Sequence, residues 1–229
     1  MLQVISKKQS FGFFLVWIFF LFSISVQCQD RIDPIRVACI GNSITFGSGV
    51  ENRSANCYPN QMQRMLGEKY EVQNFGVSGA TLLNLGDKPY MKEQAYKEAI
   101  MFKPEIVVIK LGTNDSKPHN WEEYKSYFIR DYKSLIASFK IANPKVVIFV
   151  CLPVPAFGDA FNIRDKVIKE EILPLVKIVA SEEKAGLINL YDPFLNLGEL
   201  FPDKIHPNAK GAKKIAELVF DSIKDLKIR

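Results

Sequence analysis

The sequence predicts an α/β protein in which helices cover both faces of a parallel sheet, giving a three-layer α/β/α sandwich. Two patterns carry this prediction. Short apolar runs are continuous and not alternating, which is typical of strands buried on both faces. Amphipathic helical patterns separate these runs, as in the crossovers that join parallel strands. With 229 residues, 48% hydrophobic and 24% charged, one domain can bury a sizeable core.

The predicted elements alternate along the chain. Buried strands are predicted at residues 37–40, 106–109, 146–150 and 187–190, with a weaker strand at 71–75. Helices, with apolar residues at three- and four-residue steps, are predicted at residues 59–66, 91–102, 121–141, 163–182 and 207–226. This alternation favours a flavodoxin-like strand order. Such sheets bind ligands beyond the carboxyl ends of their strands, so the residues that follow each strand are the candidates for chemistry.

The N-terminal segment has the pattern of an export signal. Lys7 and Lys8 precede an apolar run over residues 11–26, and Cys28 fits a small-residue position before a cleavage site. The apolar run is somewhat shorter than the ~20 residues of a membrane-spanning helix. We therefore expect no stable membrane insertion once the segment is removed.

The same segment sets the expected domain boundaries. Residues 1–28 are predicted to be a signal peptide and residues 29–229 a single domain, which is exported to the periplasm or secreted. Two alternatives stay open, a retained anchor and a lipid attached to Cys28. Gln27 is a poor fit immediately before a lipid-modified cysteine, which disfavours the second alternative.

Charge and cysteine content argue against a nucleic-acid partner, a disulfide framework and a metal site. The net charge of +5 comes from charges of both signs mixed along the chain, so no nucleic-acid partner is expected. Cys39 and Cys151 lie in strand-like runs and are expected to be buried small hydrophobic residues, not a disulfide framework. No Cys/His cluster has metal-ligand spacing, so we expect no metal. The oligomeric state stays open.

Ser43 is the first candidate catalytic residue. It follows the first predicted strand, in the segment Gly-Asn-Ser-Ile-Thr at residues 41–45. A serine at this edge, near a helix start whose N–H groups face negative charge, becomes a nucleophile once a base takes its proton. The alternative is a turn or N-cap serine, because Ser and Asn are favoured at such positions.

Asn114 and Gly79 are candidate donors to an oxyanion. Asn114 follows another predicted strand, in Leu-Gly-Thr-Asn-Asp at residues 111–115, and its amide can donate a hydrogen bond to developing negative charge. Gly79 lies in the segment at residues 74–81, where glycine lets a backbone N–H approach a substrate. The formation of turns or caps is the alternative for both.

Asp203 and His206 lie three residues apart near the C-terminus. A carboxylate at this distance can fix an imidazole ring and its tautomer while the other ring nitrogen faces a serine. A local salt bridge and a pair of metal ligands stay open as alternatives, although no third or fourth ligand is visible. All the candidate residues fall at one edge of the predicted sheet, which is the arrangement that acyl transfer needs.

Four ordered segments resemble the sequence blocks of the GDSL/SGNH hydrolase family. The segments are GNSIT, NFGVSGAT, LGTND and DKIH, and together they extend over residues 41–206. Four blocks in the family's order are far more specific than any single block.

The resemblance implies the SGNH hydrolase fold and a role for each matching residue. Ser43 would be the nucleophile, His206 the general base, and Asp203 the group that orients the base. The oxyanion hole would consist of the backbone N–H groups of Ser43 and Gly79 and the side chain of Asn114. The implied mechanism needs no cofactor.

One position departs from the family pattern, since Gly-Asp-Ser is here Gly-Asn-Ser. This form is typical of the branch that resembles sialate and other carbohydrate O-acetylesterases. We therefore expect an exported serine esterase that removes O-acetyl groups from sialic acid or polysaccharide. Asn42, Asp115 and Trp121 are the expected substrate-binding residues. Trp121, Tyr90 and Phe157 lie in or near candidate rim loops and could stack on a sugar ring, and packing in the core or at the rim is the alternative for all three.

Two other functions stay open. A lysophospholipase or thioesterase would need a wide apolar acyl groove, and the sequence has no long apolar insertion to build one. A non-catalytic carbohydrate-binding protein is the other alternative, because a fold does not determine a function. The complete set of Ser, Gly, Asn and His candidates argues against it.

Overall fold

The computed structural model describes residues 33–158 and 160–228. From Asp33 onward the chain forms one compact unit. The predicted signal peptide, residues 1–28, lies outside the described residues. No helix within the described ranges is both long and apolar enough to cross a membrane.

Five parallel strands form the sheet. They are β1 (Ile35–Gly41), β2 (Tyr70–Gly76), β3 (Ile106–Lys110), β4 (Val147–Leu152) and β5 (Gly186–Asn189). Their order is β2-β1-β3-β4-β5. The flavodoxin-like order and the five predicted strands are therefore confirmed.

The three strands at one side of the sheet end level with one another. Gly41, the last residue of β1, pairs with Gly76 of β2 and with Lys110 of β3. The loops that follow these strands consequently leave the sheet side by side. Between β1 and β3 the winding of the sheet reverses, which is the point where such sheets bind ligands.

Helices cover both faces of the sheet. They are α1 (Ser43–Phe46), α2 (Arg53–Asn56), α3 (Tyr58–Leu66), α4 (Gln94–Met101), α5 (Pro118–Tyr124), α6 (Phe128–Ala142), α7 (Asp165–Val167), α8 (Leu173–Glu183) and α9 (Ala209–Ile223). Short 3₁₀ turns lie at Tyr90–Lys92, Asn114–Ser116, Lys125–Tyr127, Ala160–Asn162, Asp192–Phe194 and Gly198–Leu200.

Two of the predicted helices are interrupted. The helix predicted at 121–141 is divided into α5 and α6 by the 3₁₀ turn Lys125–Tyr127. The helix predicted at 163–182 contains a π-helical turn, Ile168–Ile172, before α8. Pro174 is the second residue of α8 and has no N–H to donate to the preceding turn, so a wider turn at this position loses little.

The sheet has one hydrophobic core on each face. The first core lies between the sheet and helices α4, α6 and α8, and the second between the sheet and helices α3 and α9. On β1, for example, Ile40 belongs to the first core and Cys39 to the second. Cys39, Cys57 and Cys151 are all free and buried, which confirms the prediction for Cys39 and Cys151.

Candidate active site

Ser43 lies at the turn from β1 into α1. Gly41 permits this turn, because a Cβ atom on this residue would collide with the side chain of Thr45. The Asn42 side chain caps the helix by accepting a hydrogen bond from the Ile44 N–H at 3.1 Å. These contacts fix Ser43 at the carboxyl edge of the sheet, in the first turn of a helix.

Asp203 and His206 lie in the loop before α9. Asp203 Oδ1 accepts hydrogen bonds from the backbone N–H of Ile205 at 3.0 Å and of His206 at 2.6 Å. Asp203 Oδ2 lies 2.6 Å from His206 Nδ1, and His206 Nε2 lies 2.8 Å from Ser43 Oγ. The structure thus brings the three side chains into one continuous line of hydrogen bonds, from carboxylate to hydroxyl.

The electrostatics of Asp203 suit this arrangement. Partial burial alone would raise the pKa of Asp203, but hydrogen bonds from the backbone N–H and the ring of His206 outweigh burial and lower it. A carboxylate held on Nδ1 keeps the ring proton there. The arrangement can therefore pass a proton from a serine hydroxyl to Nε2.

Gly79 and Asn114 line the same pocket as Ser43. Gly79 has a φ of 82°, in a turn closed by a hydrogen bond from the Ala80 N–H to the Val77 carbonyl at 3.1 Å. This left-handed conformation favours glycine. The Asn114 amide nitrogen donates to the Ala80 carbonyl at 3.0 Å and has a second hydrogen. Within the described chain, the backbone N–H groups of Ser43 and Gly79 donate to no other group, so donors are available for an oxyanion.

Asn42 and Asp115 are fully buried, so the prediction that they bind substrate is wrong. Asp115 accepts hydrogen bonds from the backbone N–H groups of Leu82 at 3.1 Å and Leu83 at 2.8 Å. Burial raises the pKa of Asp115 to about 6, although these two hydrogen bonds act in the opposite direction. Asp115 ties the chain after Gly79 to the loop after β3, and Asn42 serves as a helix cap.

The prediction that Trp121 stacks on substrate is also wrong. Trp121 is 2% exposed, its ring lies 5.4 Å from that of Phe128, and its indole N–H donates to Glu171 Oε2 at 2.8 Å. Tyr90 is fully buried, and Phe157 packs against another phenylalanine ring at 4.9 Å. Trp121 is buried because the apolar side of an amphipathic helix faces the core.

Besides Ser78, which lies within the NFGVSGAT segment, four residues of the pocket were not predicted: Ser48, Lys117, Phe161 and Ile163. The pocket has a volume of about 200 Å³. Ser48 and Ser78 both line it, and their hydroxyl oxygens lie 2.8 Å apart. The four unpredicted residues lie in loops that carry no recognisable motif. Their position beyond the carboxyl ends of β1, β3 and β4 was the one signal that could have indicated them.

The two histidines of the chain have different partners. His119 Nε2 lies 3.1 Å from an oxygen of Asp87, and its side chain is exposed. His206 instead connects a carboxylate with a serine hydroxyl, so its pair with Asp203 is more than a local ion pair. Within residues 33–158 and 160–228, no three His, Cys, Asp or Glu side chains are grouped to hold a metal ion.

Relatives of this chain include named esterases. The sequence matches the GDSL-like Lipase/Acylhydrolase family over residues 39–214. An acetylxylan esterase from Xylanibacter ruminicola is 48% identical over 212 residues. The alignment covers 84% of this chain and 44% of that relative, so this chain spans less than half of the relative's length.

Solved structures of low sequence identity share the fold. Est24, a carbohydrate acetylesterase from Sinorhizobium meliloti, has a TM-score of 0.64 at 18% identity, over 82% of this chain and 97% of that chain. The acetyl xylan esterase AlAXEase has a TM-score of 0.64 at 20% identity, over 82% of this chain and 100% of that chain. The family match extends over all four sequence blocks and most of the described domain. The chain therefore belongs to the GDSL-like lipase/acylhydrolase family.

Proposed function

We propose that this protein is an exported serine esterase that removes O-acetyl groups from a polysaccharide, with acetylated xylan as its substrate class. The observation that carries the chemistry is the line of hydrogen bonds from Asp203 through His206 to Ser43, at 2.6 and 2.8 Å. The relative named as an acetylxylan esterase supports polysaccharide over sialic acid. The signal-like pattern of residues 1–28 supports export.

The first half of the reaction forms an acetyl-enzyme. His206 Nε2 takes the proton of Ser43 as Oγ attacks the ester carbonyl carbon. The carbonyl oxygen becomes an oxyanion, which accepts hydrogen bonds from the N–H groups of Ser43 and Gly79 and from the Asn114 amide. The C–O bond to the sugar then breaks as the His206 imidazolium gives its proton to the departing sugar hydroxyl.

The second half regenerates the enzyme. His206 takes a proton from water, whose oxygen attacks the acetyl carbon on Ser43 Oγ. The same donors hold the second oxyanion. When it collapses, acetate leaves and Ser43 recovers its proton from His206. Throughout, the Asp203 carboxylate keeps His206 Nδ1 protonated and stabilises the His206 imidazolium.

The pocket supports a short acyl group. Its volume is about 200 Å³, and the hydrogen-bonded hydroxyls of Ser48 and Ser78 form part of its lining. A long fatty acyl chain would need an apolar groove in place of these paired hydroxyls. Acetyl is therefore favoured over the acyl groups of lipid esters.

The test is acetate release from acetylated xylan, acetylated sialic acid and p-nitrophenyl acetate, each with wild type and Ser43→Ala. We expect wild type to release acetate from xylan, and Ser43→Ala to be slower by about 10⁴-fold or more on every substrate. Thermal unfolding monitored by circular dichroism serves as the control for folding. Near wild-type activity of folded Ser43→Ala would contradict the mechanism. Release from sialic acid but not xylan would contradict the substrate.

A further inference from the structure

Phe161 is an exposed aromatic residue at the wall of the pocket. Its side chain is 59% exposed, and its ring centroid lies 5.6 Å from that of His206, at an interplanar angle of 63°. The part of an apolar ring that stays in water contributes nothing to folding through burial. An exposed aromatic ring beside reacting groups is therefore a candidate binding surface.

The other exposed aromatic rings of the described chain are covered by cations. Phe46, Tyr127 and Phe161 are its three exposed aromatic residues. The guanidinium carbon of Arg53 lies 4.2 Å from the ring centroid of Phe46, and that of Arg130 lies 4.2 Å from the ring centroid of Tyr127. Both rings thus have a cation–π partner on the surface. Among the described residues no Lys or Arg side chain lies over Phe161, so its exposed face can accept another partner.

The backbone at Phe161 is strained. Phe161 has a φ of 57° and Asn162 a φ of 59°, so two consecutive residues with side chains adopt the left-handed conformation. Such values are uncommon for a bulky residue. Contacts beyond the turn hold it, since Arg164 Nε donates to the Ser116 carbonyl at 2.7 Å. Strain that the surroundings maintain beside reacting groups is typical of functional positions.

The side of the pocket on which Phe161 lies determines which part of the ester it meets. In the proposed mechanism His206 gives its proton to the departing alcohol, so the alcohol leaves on the His206 side. Gly79 and Asn114 instead serve the carbonyl oxygen. Phe161, beside His206, therefore meets the alcohol part of the substrate, and not the acyl part.

We propose that Phe161 is the platform for the sugar ring that carries the acetyl group, and that it makes the enzyme prefer sugar esters to esters of small alcohols. This inference rests on the proposed function. One face of a pyranose presents C–H groups, which pack on an aromatic ring while the hydroxyls at the rim stay in water. The contact is the same in the bound substrate and in the transition state, so it acts mainly on KM.

The experiment compares kcat and KM for two acetate esters, an O-acetylated methyl xyloside and ethyl acetate, which has no ring to stack. The variants are Phe161→Ala, Phe161→Tyr and, as matched control, Tyr127→Ala, which removes another exposed aromatic ring. We expect Phe161→Ala to raise KM for the sugar ester by about tenfold and to leave ethyl acetate hydrolysis and its pH profile unchanged. Phe161→Tyr should keep the low KM, and Tyr127→Ala should match wild type.

Other outcomes separate the failures. If Phe161→Ala lowers kcat/KM equally for both esters, or shifts the pH profile with ethyl acetate, Phe161 positions His206. Either result would contradict its role as a sugar platform. A KM increase confined to long-chain esters would assign the ring to an acyl chain and would also overturn it. If wild type cleaves both esters and Phe161→Ala is unchanged on both, this inference alone fails. If wild type cleaves ethyl acetate but no sugar ester, the proposed function fails first.

Discussion

The two sides of the pocket are built differently. On the side of the oxyanion donors, buried polar groups hold the loops, with Asn42 capping α1 and Asp115 accepting hydrogen bonds from the chain after Gly79. On the side where the alcohol leaves, Phe161 stands 59% exposed beside His206, on a turn with left-handed backbone. Transition-state stabilisation requires donors fixed in advance. Recognition of one leaving group can be carried by a single exposed side chain on a loop. The buried side thus suits a reaction common to all esters, and the exposed side suits the choice among them.

The largest expected effect comes from His206, which every ester needs. His206→Ala removes the group that accepts the Ser43 proton, so kcat is expected to fall by about 10⁴-fold or more. Because every ester needs this step, the loss should be the same for acetylated xylan and ethyl acetate, measured as acetate release. A loss confined to the sugar ester would break the division between the two sides.

Asn114→Ala is expected to have the next largest effect. It removes one candidate oxyanion donor and the hydrogen bond to the Ala80 carbonyl, so kcat should fall by about 10²- to 10³-fold with little change in KM. Steady-state kinetics on both esters would measure this. If KM rises and kcat is kept, Asn114 contributes to ground-state binding and not to the oxyanion.

Asp115→Asn tests whether the buried side must be rigid. The amide has one acceptor oxygen where the Asp115 carboxylate serves two backbone N–H groups, so a hydrogen bond is lost. We expect the free energy of unfolding to fall by about 1–3 kcal/mol and kcat to fall by about tenfold. Urea unfolding and kinetics would measure the two quantities. A destabilised but fully active variant would show that the Asp115 hydrogen bonds do not position the oxyanion donors Gly79 and Asn114.

The smallest effect on catalysis is expected at Lys110, the last residue of β3, which pairs with Gly41. Lys110 is fully buried, and its Nζ has no hydrogen-bond partner among the described residues. Burial lowers the pKa of Lys110 from 10.5 to about 8. Between these two pH values the unfolded chain binds a proton that the folded chain does not, so stability should rise with pH across this window.

Lys110→Met removes the buried charge and should therefore stabilise the fold. The pKa difference corresponds to about 3 kcal/mol in the free energy of unfolding at pH 7. The gain should shrink toward pH 10, while kcat stays at its wild-type value. Urea unfolding of both proteins at pH 7 and pH 10 would measure it. An equal gain at both values would show that charge is not the cause.

The contrast between the two sides also explains what the sequence could predict. The strands followed from short apolar runs, and the strand order followed from the alternation of these runs with helical patterns. Both signals are carried by residues close together in the sequence. The four sequence blocks meet at one pocket because parallel strands end at the same edge. Asn42 and Asp115 were misassigned because a block gives the position of a side chain and not its direction. Phe161 was missed because its loop has no periodicity, and its conformation depends on distant contacts such as that of Arg164 with Ser116.

Cys39, Cys57 and Cys151 are free and buried, so no disulfide joins parts of the described domain. Its folding consequently requires no thiol oxidation and no disulfide isomerase, although its proposed place of work is an oxidising one. The domain is expected to reach the same native state in a reducing cytosol as after export. The described domain can then be produced in the cytosol, and reducing agents in the buffer should leave it intact.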